Sequence, residues 1–124
     1  MAEISIDIDR DKELATISIK GELEVGDLGS ALRKYFENTP CKSTIYDSSE
    51  GTWSNLPAEY LRGMIGKSKE YSRQGAKSAL VFGDQVSFGI GRMLESHCAI
   101  AGYENEIKCF HSLEEATKWA CERV

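Results

Sequence analysis

Apolar and polar residues alternate strictly in two runs near the start of the chain. Ile4, Ile6 and Ile8 are interleaved with Ser5, Asp7 and Asp9, and Ala15, Ile17 and Ile19 follow the same rhythm. A period of two marks a strand with one buried and one wet face. The polar turn Asp9-Arg10-Asp11-Lys12 between the runs predicts an antiparallel hairpin. The period then lengthens. Leu28, Ala31, Leu32, Tyr35 and Phe36 fall at i, i+3, i+4, i+7 and i+8, the stripe of an amphipathic helix, with Asp27 placed to cap it and Asn38-Thr39-Pro40 placed to end it. A strand is expected over residues 43–47, followed by a loop over 48–55 that contains Gly51 and Trp53. Pro57 suits a first helical turn and Gly75 a stop, so a helix is expected over 57–73 with Leu61, Met64, Ile65 and Ser68 on one face.

The run from Lys77 to Phe82 is the continuous apolar stretch of a parallel strand covered on both faces. Gly83-Asp84 turns it into a third helix, along which Val86, Ile90, Met93, Leu94, His97 and Ala101 recur at helical spacing until Gly102. Ile107, Cys109 and His111 share one face of a last strand. Ser112-Leu113-Glu114-Glu115 has the form of a capping box, and Leu113, Ala116, Trp119 and Ala120 dock a final helix. The order is β-β-α-β-α-β-α-β-α. It predicts an α/β fold: one mostly parallel sheet with an antiparallel N-terminal edge strand, covered by helices, in a single domain spanning residues 1–124.

Composition narrows the class. The chain has 124 residues, 41% hydrophobic and 28% charged, which excludes wholesale disorder, a collagen-like chain and a long coiled coil. No unbroken apolar run is longer than that of Ala79-Leu80-Val81-Phe82, which is far too short to span a bilayer, and no secretory signal is read at the start, so a cytoplasmic chain is expected. The net charge of −5 makes nucleic acid a poor partner. That charge is uneven. Residues 61–78 carry five bases (Arg62, Lys67, Lys69, Arg73, Lys77) and one acid (Glu70), a net +4 on a body of −9. Such a stretch is either a solvated helix face or a surface for an acidic partner.

Candidate chemistry concentrates at the strand ends, where ligands bind in open α/β sheets. The run 83–92 places glycines at a helix N-terminus, an anion-friendly setting. It lacks the third glycine of a dinucleotide fingerprint, because Leu94 stands there, and the lysine of a P-loop. Its alternative reading is close helix–sheet packing at Gly89 and Gly91. Asp47-Ser48-Ser49-Glu50-Gly51 reads as a ligand or modification site, or as a turn in which side chains satisfy the backbone. Trp53 either covers a pocket or plugs the core. No two of Cys41, Cys98, Cys109 and Cys121 have C-x-x-C spacing, so free thiols are expected. His97–Cys98 and Cys109–His111 lack the further ligands of a zinc site and any oxyanion element for a nucleophile. No metal, no cofactor and no catalytic residue is therefore assigned. The ligand-site expectation is Asp47, Ser49, Trp53, Gly83, Asp84, Phe88, Gly89 and Arg92.

The hairpin, the strand Thr44-Ile45-Tyr46-Asp47, the strand Ala79-Leu80-Val81-Phe82 leading into Phe88-Gly89-Ile90-Gly91-Arg92-Met93, and the ending Ile107-Lys108-Cys109-Phe110 with Glu114-Glu115-Ala116 and Trp119 carry a resemblance. Over nearly its whole length the chain resembles the SpoIIAA-like domains of the STAS superfamily, in an uncharacterised bacterial branch grouped with Sec-fourteen-like lipid carriers. Asp47-Ser48-Ser49 matches the Asp-x-Ser of the signalling members. Their phosphoserine would fall near Asn55-Leu56-Pro57, where no serine stands, so that switch is not carried over. The resemblance implies a non-enzymatic, regulatory domain binding a small anionic or apolar molecule or a protein partner. Two alternatives remain open. One is a lipid carrier with a pocket lined by Tyr60, Met64, Phe88 and Met93; the other is a homodimer with Val86, Ile90 and Met93 as its seam.

Overall fold

The computed structural model describes residues 2–37, 41–68, 75–102 and 106–122, with the side chains of residues 30, 31, 36 and 64–68 outside that description. The expectations placed on Asn38-Thr39-Pro40, on the helix beyond residue 68 with Lys69, Glu70 and Arg73, and on the side chains of Ala31, Phe36, Met64, Ile65, Lys67 and Ser68 lie outside the described residues. The described residues form β1 (Glu3–Asp9), β2 (Leu14–Glu22), α1 (Asp27–Glu37), β3 (Ser43–Thr52), α2 (Ala58–Ser68), β4 (Lys77–Phe82), α3 (Gln85–Ala101), β5 (Glu106–Phe110) and α4 (Leu113–Cys121).

The five strands lie in the order β1-β2-β3-β4-β5, with β1 antiparallel to β2 and every later pair parallel. Successive crossovers of one hand that advance in one direction place their helices on one face. Accordingly α1, α2 and α3 share a core with Ile17, Ile19, Leu80, Phe82 and Cys109. The intervening residues Ile45, Ala79, Val81 and Phe110 meet Ala116 and Ala120 of α4 on the opposite face. The continuous apolar run of β4 is thus explained: alternate side chains feed two cores. Lys77 fastens α4 from below, its Nζ donating to the Trp119 and Glu122 carbonyls at 3.0 Å each and standing 5.0 Å from the Trp119 ring centre.

Three local expectations are corrected. Ile6 and Ile8, expected on a buried face, are 37% and 42% exposed, because β1 is the edge strand of the sheet. The strand expected over 43–47 runs on to Thr52. A register shift between Ser18 and Lys20 lets β2 continue beside it, pairing Lys20 with Glu50 and Glu22 with Thr52. Gly51 permits this approach, since a Cβ there would stand 2.8 Å from the Ile19 carbonyl oxygen. The Ser48–Gly51 segment is therefore strand and not turn. Asp27 opens α1, but its Oδ2 accepts from the Glu24 N–H at 2.9 Å and the Ala2 N–H at 3.2 Å, so it fastens the start of the chain to the helix.

Other helix ends follow the sequence. Asp84 Oδ1 accepts from the Ser87 N–H at 2.8 Å to open α3, and Gly102 closes it at φ +83° in the left-handed region that suits glycine. Ser112 Oγ accepts from the Glu115 N–H at 3.2 Å to open α4. Among the described residues, no helix is long and apolar enough to cross a membrane.

Candidate functional site

The carboxyl ends of β3, β4 and β5 converge on the start of α3, and a chain of aromatic rings binds them together. The Trp53 ring meets Phe82 edge-on at 5.1 Å, Phe82 meets Phe88 edge-on at 6.4 Å, and Phe88 stacks on His111 at 3.9 Å. The series runs from the buried core to the exposed His111. Trp53 is 2% exposed, and its indole N–H donates to Ser48 Oγ at 2.8 Å, so of its two readings the structure has the plug. A buried indole needs such an acceptor, and Ser48, fully buried on β3, supplies it.

The remaining predicted residues fall into two groups. Asp47 Oδ1 accepts from the Ser49 N–H at 3.1 Å, while Gly83 lets the ends of β3 and β4 close up, since a Cβ on it would lie 2.3 Å from the Ser49 carbonyl oxygen. Asp84 is the cap of α3. These groups, with Trp53, hold the strand ends together. Ser49, Gly89 and Arg92 face solvent, and Phe88 is half-buried under His111. The two helix glycines also differ. A Cβ on Gly91 would meet Phe82 Cε2 at 2.3 Å, as close helix–sheet packing requires, whereas nothing lies within 4 Å of one on Gly89.

Sequence reasoning missed Ser87. It is fully buried, and its Oγ accepts from the Trp53 N–H at 2.8 Å and lies 3.3 Å from Thr52 Oγ1, which itself lies 2.9 Å from Ser54 Oγ. The signal was a small hydroxyl three residues into a helix that an aspartate caps. Its long-range partner, thirty-four residues earlier in the chain, was beyond local pattern.

A groove of about 610 Å³ opens elsewhere, between α3 and the outer edge of β5. Arg92, Glu95, Ser96, Cys98 and Ala99 line it from α3, Glu106, Ile107 and Lys108 from β5, and Trp119 from α4. Of the predicted residues, Arg92 alone lines it. Arg92 Nη1 lies 3.8 Å from Glu95 Oε2, which is buried and makes no hydrogen bond. Burial pushes the Cys98 thiol up to about 11. Burial, reinforced by the neighbouring Glu95 carboxylate, pushes Cys109 up to about 12. Both thiols are thus protonated near neutral pH, the opposite of an activated nucleophile. Among the described residues, no three of His, Cys, Asp and Glu stand together as a metal centre. Of the residues expected to line a lipid pocket, Tyr60 takes a hydrogen bond from the Gly26 N–H at 3.2 Å, Tyr60 and Phe88 both pack against the core shared by α1, α2 and α3, and Met93 is 38% exposed.

Sheet order, strand directions and helix placement define a SpoIIAA-like α/β fold. A solved structure agrees. An uncharacterized protein of the DUF3478 family from Shewanella loihica PV-4, described as having a SpoIIAA-like fold, superposes with a TM-score of 0.60 at 17% identity, over 98% of this chain and 96% of that one. No family model matches the sequence, and no curated protein matches it.

Proposed function

We propose that the chain is a non-catalytic, STAS-like binding module that takes up an extended segment of a protein partner along the α3–β5 groove. The observation that carries this reading is the groove itself, about 610 Å³ and bounded on one side by a strand at the end of the sheet. An end strand offers backbone N–H and C=O groups to an added strand, and a neighbouring helix supplies side-chain specificity. Ile107 and Ala99 give apolar contact, while Arg92 and Lys108 offer cations and Glu95 and Glu106 carboxylates to a segment of mixed charge. The protonated Cys98 and Cys109 thiols favour binding over thiol chemistry. The predicted residues at the strand ends serve as the frame that orients α3, and Arg92 lies on the contact surface.

Display of a random peptide library on the intact chain tests this. Enriched peptides are expected to bind at least about tenfold more weakly to Ala99→Trp, which fills the groove. Failure to enrich any peptide, or equal binding to Ala99→Trp, overturns the reading.

A further inference from the structure

Helix α3 carries two stripes. Ser87, Gly91, Leu94 and Cys98 are buried against the sheet. On the other side Val86, Gly89, Met93, Ser96 and Ile100 are all exposed, with Val86 at 63%, Met93 at 38% and Ile100 at 84%. Their spacing of three and four residues is that of the a and d positions of a heptad. The a positions are large (Val86, Met93, Ile100) and the d positions are small (Gly89, Ser96). Among the described residues nothing occupies the space a Cβ on Gly89 would take, and an exposed glycine inside a helix costs about 1 kcal/mol against alanine.

We infer that the outer face of α3 is a homodimer seam, on which the α3 of a second copy packs antiparallel about a two-fold axis. Antiparallel registry sets Ile100 of one copy on Gly89 of the other and Met93 on Ser96, and the two-fold repeats both pairs. Each of these four layers then joins one large and one small side chain. From Gly89 to Ile100 the stripe is complementary to itself in reverse, as an isologous contact requires, while Val86 lies beyond the paired layers. It contains no charged residue, so the axis brings no like charges together along it. The half-buried Ile90 and His97 flank the seam and face each other across it. Arg92 and Ala99 flank the other side and also line the groove, so each copy's groove opens beside the seam. A single helix pair buries less than a standard interface, so the dimer forms in a concentration-dependent way. The inference does not depend on what the groove holds.

Sedimentation velocity over a concentration series up to about 1 mM tests it. The wild-type mass is expected to rise from 13.8 kDa toward twice that value. Ile100→Lys, at an exposed position, should weaken association by at least about tenfold, since it removes a buried apolar contact. Gly89→Leu is the decisive variant. It adds apolar surface to the stripe, so a merely adhesive patch would associate more strongly, whereas the proposed seam loses its hole and stays monomeric. A wild-type chain that is monomeric throughout, or a Gly89→Leu chain that associates as well as wild type or better, overturns the inference. Circular dichroism of both variants confirms that α3 is intact.

Discussion

Gly89 and Gly91 stand two positions apart on α3 and do opposite things. Phe82 is 1% exposed and wedged between the Trp53 and Phe88 rings, so it cannot withdraw from a Cβ placed 2.3 Å away. Gly91→Ala is therefore expected to destabilise the fold by about 1–3 kcal/mol, the usual range for overpacking. Gly89→Ala meets open space and should stabilise the dilute chain by about 0.5–1 kcal/mol through helix propensity alone. Urea unfolding of the two variants below the dimerising concentration checks both signs. A shared sign would mean that α3 does not approach the sheet as described. In the sequence these residues were one motif, Gly89-Ile90-Gly91, and close helix–sheet packing was expected of both, although only Gly89 was placed in the ligand site. A helical repeat sets adjacent i and i+2 positions far apart around the axis, and which side meets the sheet is decided by Phe82 and Cys109, two elements that local pattern does not connect.

The N-terminal hairpin depends on a different kind of contact. Asp27, at the start of α1, accepts backbone hydrogen bonds from Glu24 and Ala2, and these hold its carboxyl below the usual carboxylate range. A carboxyl whose folded pKa is depressed stabilises the fold above its unfolded value, near 4, and that contribution disappears as pH falls through the lower folded value. The stability difference between wild type and Asp27→Asn should thus be constant near neutrality and shrink below about pH 4. Chemical denaturation at stepped pH measures it, and a difference that grows on acidification would show that the carboxylate does not hold these N–H groups. β3 shows why element boundaries were harder to read than element types. Ser48-Ser49-Glu50-Gly51 has turn composition, yet it is strand because β2 supplies pairing partners after its register shift. Ser48 then points inward as the acceptor for the Trp53 indole.

The sheet as a whole is buried at its centre and open at its two ends. β3 and β4 are covered on both faces, whereas β1 is an edge strand with Ile6 and Ile8 partly in solvent. Native-state hydrogen exchange should therefore protect the β3 and β4 amides most and release those of β1 at lower free energy. Equal protection across all five strands would contradict a core centred on β3 and β4. The strand–helix order, the antiparallel first strand, the buried run of β4, the stop at Gly102 and the cap at Ser112 were all legible along the chain, whereas Asp84, expected in a ligand site, was not read as the cap of α3. Each rests on periodicity or on backbone chemistry within a few residues, and such signals are complete in the local sequence. The strand ends were legible as a place, and Trp53 as one of two alternatives. The aromatic series to His111, the hydroxyl of Ser87, the groove along β5 and the free side of α3 were not. Each joins residues distant in sequence, and exposure is a property of what the neighbouring elements leave uncovered. Hydrophobic pattern determined which elements form and how they are ordered, while packing in three dimensions decided which of their surfaces remain available to another molecule.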